Sequence, residues 1–181
     1  DMLGTIVEEM KNEKAVDIVI ASGDMDTLQL VDEHHVQVYT LKKGIQDTIL
    51  YDEDAVMARF GFPPEHLPDY KGLRGDPSDN IIGIPGIGEK TASELIQKFG
   101  TIEDLYKTLK KSEKPLLEAG IKARIIALLK DHEEEALFSK MLASIRRDAP
   151  IHFSLPKPWR EGVETDKILA LFTDLNFRTL S

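Results

Sequence analysis

GLRGDPSDNIIGIPGIGEKTASELIQKFG (residues 72–100) joins two chemistries in one stretch: acids held in a turn, then a glycine hairpin that opens a helix. Within it Gly83, Gly86 and Gly88 punctuate Ile82, Ile84 and Ile87, and Pro85 fixes one turn position, which predicts a compact apolar turn. Ala92, Leu95, Ile96 and Phe99 then recur as the apolar stripe of a helix. Glu89, Thr91, Glu94 and Lys98 form its polar side, and Gly100 suits its stop. The helix therefore begins at the hairpin. Backbone N–H groups of Ile87, Gly88 and Glu89 would point outward with the positive end of the helix dipole, where two glycines leave room for a phosphate. Lys90 adds a flexible positive charge. Glycine turns also serve as plain connectors, but here apolar residues, glycines and a lysine fall in one register, which favours phosphate binding.

The pattern resembles the helix-hairpin-helix element that grips a nucleic-acid backbone without reading bases, with Gly86, Ile87, Gly88, Lys90 and Thr91 at the contact. A net charge of −9 at first argues against such a partner. Divided along the chain, however, residues 86–147 hold 12 basic and 10 acidic side chains, a net +2, and the remainder hold 11 against 22, a net −11. A mildly basic helical part beside an acidic part suits phosphate on one side and divalent cations on the other; ordinary surface variation gives the same numbers. With 181 residues and 41% hydrophobic content, the chain can bury a core in one domain or two small ones. It has no apolar run of about eighteen residues and no signal-peptide pattern, so no membrane partner is expected, and a cytoplasmic monomer is the expectation. The absence of cysteine excludes disulfides and thiolate metal sites.

Residues 2–13 carry a helical stripe with no cap ahead of Asp1. AVDIVIAS (15–22) is a short, β-branched apolar run, the signature of a buried parallel strand. HHVQVYTL (34–41), a turn at LKKG (41–44) and DTILY (47–51) predict a hairpin-like edge. Asp52 or Asp54 starts a helix through Phe60, which Gly61 and Pro63-Pro64 end. Helices are predicted at 65–74, 88–99, 101–110, 114–118, 120–131, 132–144 and 165–175, with an extended connector over 149–159. The fold class is thus α/β, passing near residue 62 into a mostly helical region. No long internal repeat stands out.

SGDMDTLQLV (22–31) places Asp24 and Asp26 at the carboxyl end of the apolar strand, where open parallel sheets form their sites. Asp26 reads equally as a helix cap or as a cation ligand. Asp76 and Asp79 of GDPSDN lie in ordinary turn chemistry, and alone they would be structural. Four carboxylates at two loops, with no histidine pair at ligand spacing, suit Mg²⁺ or Mn²⁺ rather than zinc. Mg²⁺ keeps water and takes substrate phosphate as further ligands, the arrangement phosphodiester hydrolysis uses.

Together, SGDMDTLQLV and DYKGLRGDPSDNIIGIPGIGEKTASELIQKFG resemble the 5′ nuclease domain of bacterial DNA polymerase I, a relative of phage and eukaryotic flap endonucleases. The resemblance covers nearly the whole chain. It implies a PIN-like parallel-sheet core over 1–62, here partial, and a helical region over 63–181. That region holds a helix-three-turn-helix DNA clamp, with its hairpin at 82–90, and a C-terminal helix returning to the core. It further implies a metal-dependent phosphodiester hydrolase acting on duplex DNA with a 5′ flap or 5′ end in replication and repair, joined to a polymerase region. Carried over, Asp24, Asp26, Asp76 and Asp79 are the catalytic, metal-holding acids of a two-metal site, and Asp1 matches the last acid of a Glu-Ala-Asp-Asp motif. The resemblance also implies a site for K⁺ on main-chain carbonyls of the hairpin. The family's first strand, basic arch and remaining acids precede the point matching Asp1, so a truncated, weakly active portion is expected. A non-catalytic DNA-binding module, its acids only capping helices and turns, is the alternative reading.

Overall fold

The computed structural model describes residues 1–13, 15–42, 46–177 and 179; Lys43 and Gly44 of the expected turn lie outside them. Packing divides the chain into one unit over 1–151 and a second over 152–181. The first unit opens with α1 (Met2–Met10), β1 (Ile18–Ala21) and a 3₁₀ helix, Met25–Leu30. β2 (Val36–Leu41) pairs with β1 in parallel and with β3 (Thr48–Tyr51) in antiparallel, giving the order β1-β2-β3. The expected hairpin-like edge is therefore present.

Only one face of this sheet is packed among the described residues. Ile20, Val36, Val38, Thr40 and Tyr51 are buried, whereas Val19, Tyr39, Leu41 and Leu50 are exposed on the alternate positions. The 15–22 run, read as a buried strand, is thus half-exposed: its apolar residues occupy both faces, and Val19 retains 54% of its accessible surface.

Caps and glycines place the helices. α2 (Glu53–Phe60) begins where Asp52 accepts a hydrogen bond from Ala55 N at 2.9 Å and ends at Gly61, whose φ of +79° is a left-handed stop. α3 (Leu67–Arg74) is buried from Leu67 to Leu73 and forms the axis of the unit. α4 (Glu89–Phe99) buries Ala92, Leu95 and Ile96, as its stripe predicts. α5 (Ile102–Lys111), α6 (Lys114–Glu118), α7 (Ala123–Asp131) and α8 (Glu133–Ala143) follow. One continuous core runs from Val7 to Ala136, crossing residue 62 without interruption.

Close approach of α3 to α8 depends on small residues. A Cβ at Gly72 would meet Ala136 O and Lys140 Cβ at 2.9 Å, so a larger side chain there would push the helices apart. Facing it, Ala136, Ser139 and Ala143 are all buried. In the second unit, residues 152–158 carry no regular secondary structure and lead to a 3₁₀ turn, Trp159–Glu161, and α9 (Thr165–Asp174). Among the described residues, no helix is long and apolar enough to cross a membrane.

Candidate metal centre and nucleic-acid interface

The 3₁₀ helix Met25–Leu30 hangs from the carboxyl end of β1 and carries the first acids. Asp24 caps it, its Oδ1 accepting from Asp26 N at 2.9 Å, so the capping role falls to Asp24 and leaves the Asp26 side chain free to turn inward. On the other wall the loop 76–81 closes on itself through Asp76 N to Ile81 O at 2.8 Å and Ile81 N to Asp76 O at 2.9 Å. Asp76 Oδ1 also accepts from Ser78 N at 3.0 Å. Asp26, Asp76 and Asp79 come together: one oxygen of each lies within 4.8 Å of the others, the grouping that could hold a metal among the described residues.

Asp24 and Asp1 stand outside that group. Asp24 is exposed at its edge, and Asp1 Oδ1 accepts from Arg146 N at 2.9 Å. Asp1, Asp24 and Asp26 line a neighbouring cleft of about 380 Å³. The three acids line a cleft of about 430 Å³ together with Arg59, Tyr70, Lys71 and Arg74, the Arg74 guanidinium lying 5.7 Å from the Tyr70 ring centre.

Lys71, a residue the sequence reading passed over, sits among the acids. Its side chain is nearly buried, and Nζ pairs with Asp26 Oδ1 and with Asp76 Oδ2, the latter at 2.6 Å. Burial alone would raise the Asp76 carboxyl, but the hydrogen bonds from Lys71 and Ser78 outweigh it and hold it at about 2. An ammonium bridging two carboxylates is a stand-in cation, and an all-oxygen donor set suits a hard divalent ion; the residues fit such a group. The sequence signal was available, because Lys71 falls four residues after Leu67 on the buried face of α3.

The hairpin is locked to the acid loop. Gly75 (φ +78°) and Gly83 (φ +65°) face each other so closely that a Cβ on Gly83 would lie 2.2 Å from Gly75 N. Ile84 N donates to Leu73 O at 2.9 Å, and Gly83 N to the buried Ser139 Oγ at 3.0 Å. Pro85 and Gly86 then form a type II turn, Gly86 at φ +93° and Ile87 N bonded to Ile84 O at 3.0 Å. Ile87 N, expected to face a phosphate, is consumed by that turn. Ile84 and Ile87 are buried, but Ile82, expected in the apolar turn, is 73% exposed because it sits opposite Gly75 on the outer side of the clasp.

A second hairpin of the same build follows α6, and the sequence reading missed it. Gly86-Ile87-Gly88 opens α4 and Gly120-Ile121-Lys122 opens α7; both first glycines have positive φ, at +93° and +82°, and both isoleucines are buried. Neither helix receives a side-chain cap, in contrast to α2 and to α5, whose Thr101 accepts from Asp104 N at 3.1 Å. The two hairpins line one cleft of about 430 Å³ with Lys90, Thr91 and Arg124. Lys90, Lys122 and Arg124 make no ion pair among the described residues, although most other basic groups of α4 to α8 pair with carboxylates. Uncapped helix starts with unpaired cations form an anion-accepting surface.

Residues 62–166 match the family model described as 5′-3′ exonuclease, C-terminal SAM fold. Over 179 residues the chain is 41% identical to the DNA polymerase I of Bacillus caldotenax, covering 99% of this chain and 19% of that protein. It is 36% identical over 181 residues to the DNA polymerase I of Bacillus subtilis (strain 168), with the same coverages. The chain thus spans about a fifth of the length of these relatives. Among solved structures, the T5 D15 protein co-crystallized with metal ions aligns with a TM-score of 0.64 at 22% identity, covering 78% of this chain and 48% of that one. A D15 flap endonuclease complex with DNA and metal ions gives the same TM-score over 78% and 47%. These structures establish a shared fold.

Proposed function

Because the chain belongs to the 5′-3′ exonuclease family through its C-terminal SAM-fold region, we propose that it forms the metal-binding and duplex-holding part of a structure-specific 5′ nuclease. The observation that carries this reading is the convergence of Asp26, Asp76 and Asp79 within 4.8 Å, on a loop clasped to the Gly83–Gly88 hairpin. The substrate class is duplex DNA with a 5′ flap or 5′ end. In domain terms, residues 1–62 supply the sheet and first acids, and residues from 63 onward supply the second acids and the clamp. A covalently linked polymerase region, consistent with the name and greater length of the DNA polymerase I relatives, and a cytoplasmic setting belong to this reading.

Divalent ions, Mg²⁺ or Mn²⁺, would supply water activation and stabilisation of the leaving 3′ oxygen when bound. Asp26, Asp76 and Asp79 would hold such an ion, and Asp24 and Asp1, which line the neighbouring cleft with Asp26, would help to hold a second. Asp24 also fixes the start of the 3₁₀ helix, so its loss disturbs Asp26. Arg59 and Arg74 line the same cleft as the acids and offer positive charge to a scissile phosphate. Gly88, Lys90, Thr91, Lys122 and Arg124 take backbone phosphates, Gly86 and Ile87 shape the turn that presents them, and hairpin carbonyls offer a site for K⁺. Holding the duplex at this distance from the acids provides orientation, without a protein nucleophile.

The test is Asp79→Asn in the full-length protein. It makes no cap and no ion pair among the described residues, so the change removes a ligand and little else. Mg²⁺-dependent cleavage of a 5′-flap duplex should fall at least about 100-fold, since even indirect metal partners cost 10–100-fold. Duplex affinity in EDTA should not change. Cleavage at the wild-type rate would defeat the nuclease assignment and leave the DNA-binding module.

A further inference from the structure

The acid group already holds a cation of its own. Lys71 retains only 8% of its accessible surface, and its Nζ pairs with Asp26 Oδ1 and Asp76 Oδ2. Those are two of the three carboxylates whose oxygens converge within 4.8 Å. A divalent ion bound by the group would need oxygens of the same two side chains at about 2.0–2.2 Å if it were Mg²⁺. The ammonium and the ion therefore contend for one set of donors.

We propose that Lys71 is a resident counter-cation: it holds the acid cluster together in the metal-free protein and must withdraw before a divalent ion takes Asp26 and Asp76 together. It is a positioning residue that sets metal affinity. Three features of the structure require a role of this kind. The carboxylates come from two separate loops, and like charges so placed repel unless a cation lies between them. Lys71 is anchored on α3, the most buried helix of the unit, so its ammonium is delivered from the core side. Lys71 and the acids line one open cleft with Arg59 and Arg74, through which an ion and a phosphate arrive. Metal-free, the site is thus assembled but neutralised in part; loaded, the divalent ion replaces the single positive charge with two.

This inference rests on the reading of the acids as a metal centre, and the experiment separates the two. Mn²⁺ binding is measured by titration calorimetry on the full chain as wild type, Lys71→Met, Lys71→Arg and Asp79→Asn, with thermal midpoints in EDTA and in Mn²⁺. Removing the competing charge should tighten Mn²⁺ binding about tenfold in Lys71→Met, whereas Lys71→Arg keeps the charge and stays near wild type. Lys71→Met should also melt lower in EDTA and gain more from Mn²⁺ than wild type does. Equal or weaker Mn²⁺ binding by Lys71→Met, with binding lost in Asp79→Asn, would overturn the counter-cation role and leave the metal centre intact. No Mn²⁺ binding by any variant would remove the centre and the inference with it. Should Lys71→Met fail to fold in EDTA, folding on addition of Mn²⁺ supports the proposal and failure to fold in Mn²⁺ overturns it.

Discussion

Two lysine–carboxylate clusters meet on helix α3, two residues apart, and they differ in how the charges balance. At Asp69, which is 2% exposed, Oδ1 accepts from Ile102 N at 2.8 Å and pairs with Lys140 Nζ at 2.6 Å, while Lys140 also reaches Glu103 at 2.7 Å. These contacts tie α3, α5 and α8 at one point. At Lys71 a single ammonium faces Asp26 and Asp76, with Asp79 beside them and Asp24 at the rim. Each ammonium faces two carboxylates, but the Asp69 cluster ties three helices together at a buried point, whereas the Lys71 cluster adds a third acid, Asp79, in an open cleft, and that excess of negative charge calls for a cation from outside.

That contrast can be broken by mutation. Asp69→Ala should cost about 3 kcal/mol, because it takes from Lys140 the more buried of its two carboxylates and strands the first N–H of α5, and urea denaturation will measure it. Asp79→Asn should lie within about 0.5 kcal/mol of wild type in the same assay. Comparable losses in the two variants would mean that the acid group is a structural device after all. A smaller effect is expected at the hairpin. Gly86→Val forces a β-branched residue to φ +93° and brings its Cβ to 3.2 Å from Leu128. Duplex affinity, read by fluorescence anisotropy, should fall about tenfold with the helical circular dichroism nearly unchanged; wild-type affinity would detach the hairpin from nucleic acid.

The smallest effect is in pH, where the clusters act at opposite ends of the scale. Asp76 is held at about 2 against an ordinary 3.8, so its contribution is complete above about pH 4 and is lost as pH falls toward 2. For Lys140, burial alone would lower the ammonium, but Asp69 and Glu103 raise it overall, so its contribution is complete below the ordinary lysine value and fades at still higher pH. Asp76→Asn should flatten the acid limb of the stability profile and leave the alkaline limb untouched. A change in the alkaline limb would show that the clusters are coupled.

Local signals made much of this legible. Asp52 with Gly61, the Ala92–Phe99 stripe and the Gly83–Gly88 spacing each announce an element through residues a few positions apart. The candidate acids were legible for the same reason, as turns before helices. What sequence did not reveal depends on partners remote in the chain. Lys71 meets residues 26 and 76, buried Gln29 donates to Ala143 O at 3.0 Å and accepts from Ile145 N at 2.8 Å, and Ser139 reaches Gly83. A polar residue on a buried face looks like an error until its partner is seen. The second hairpin escaped because only Gly-Ile is shared with the first, and the helix following it begins with Ala123 and Arg124 rather than with a glycine-rich run.

The backbone contact of Gly75 with Gly83 also acts as a ruler. Both ends of the intervening segment are fixed, one to α3 and one to Ser139 of α8, so the separation between the acids and the hairpin is a constant of the molecule. On the proposed reading, the number of nucleotides between where a strand is held and where it is cut is recorded in that span of main chain. The base sequence of the strand plays no part in it.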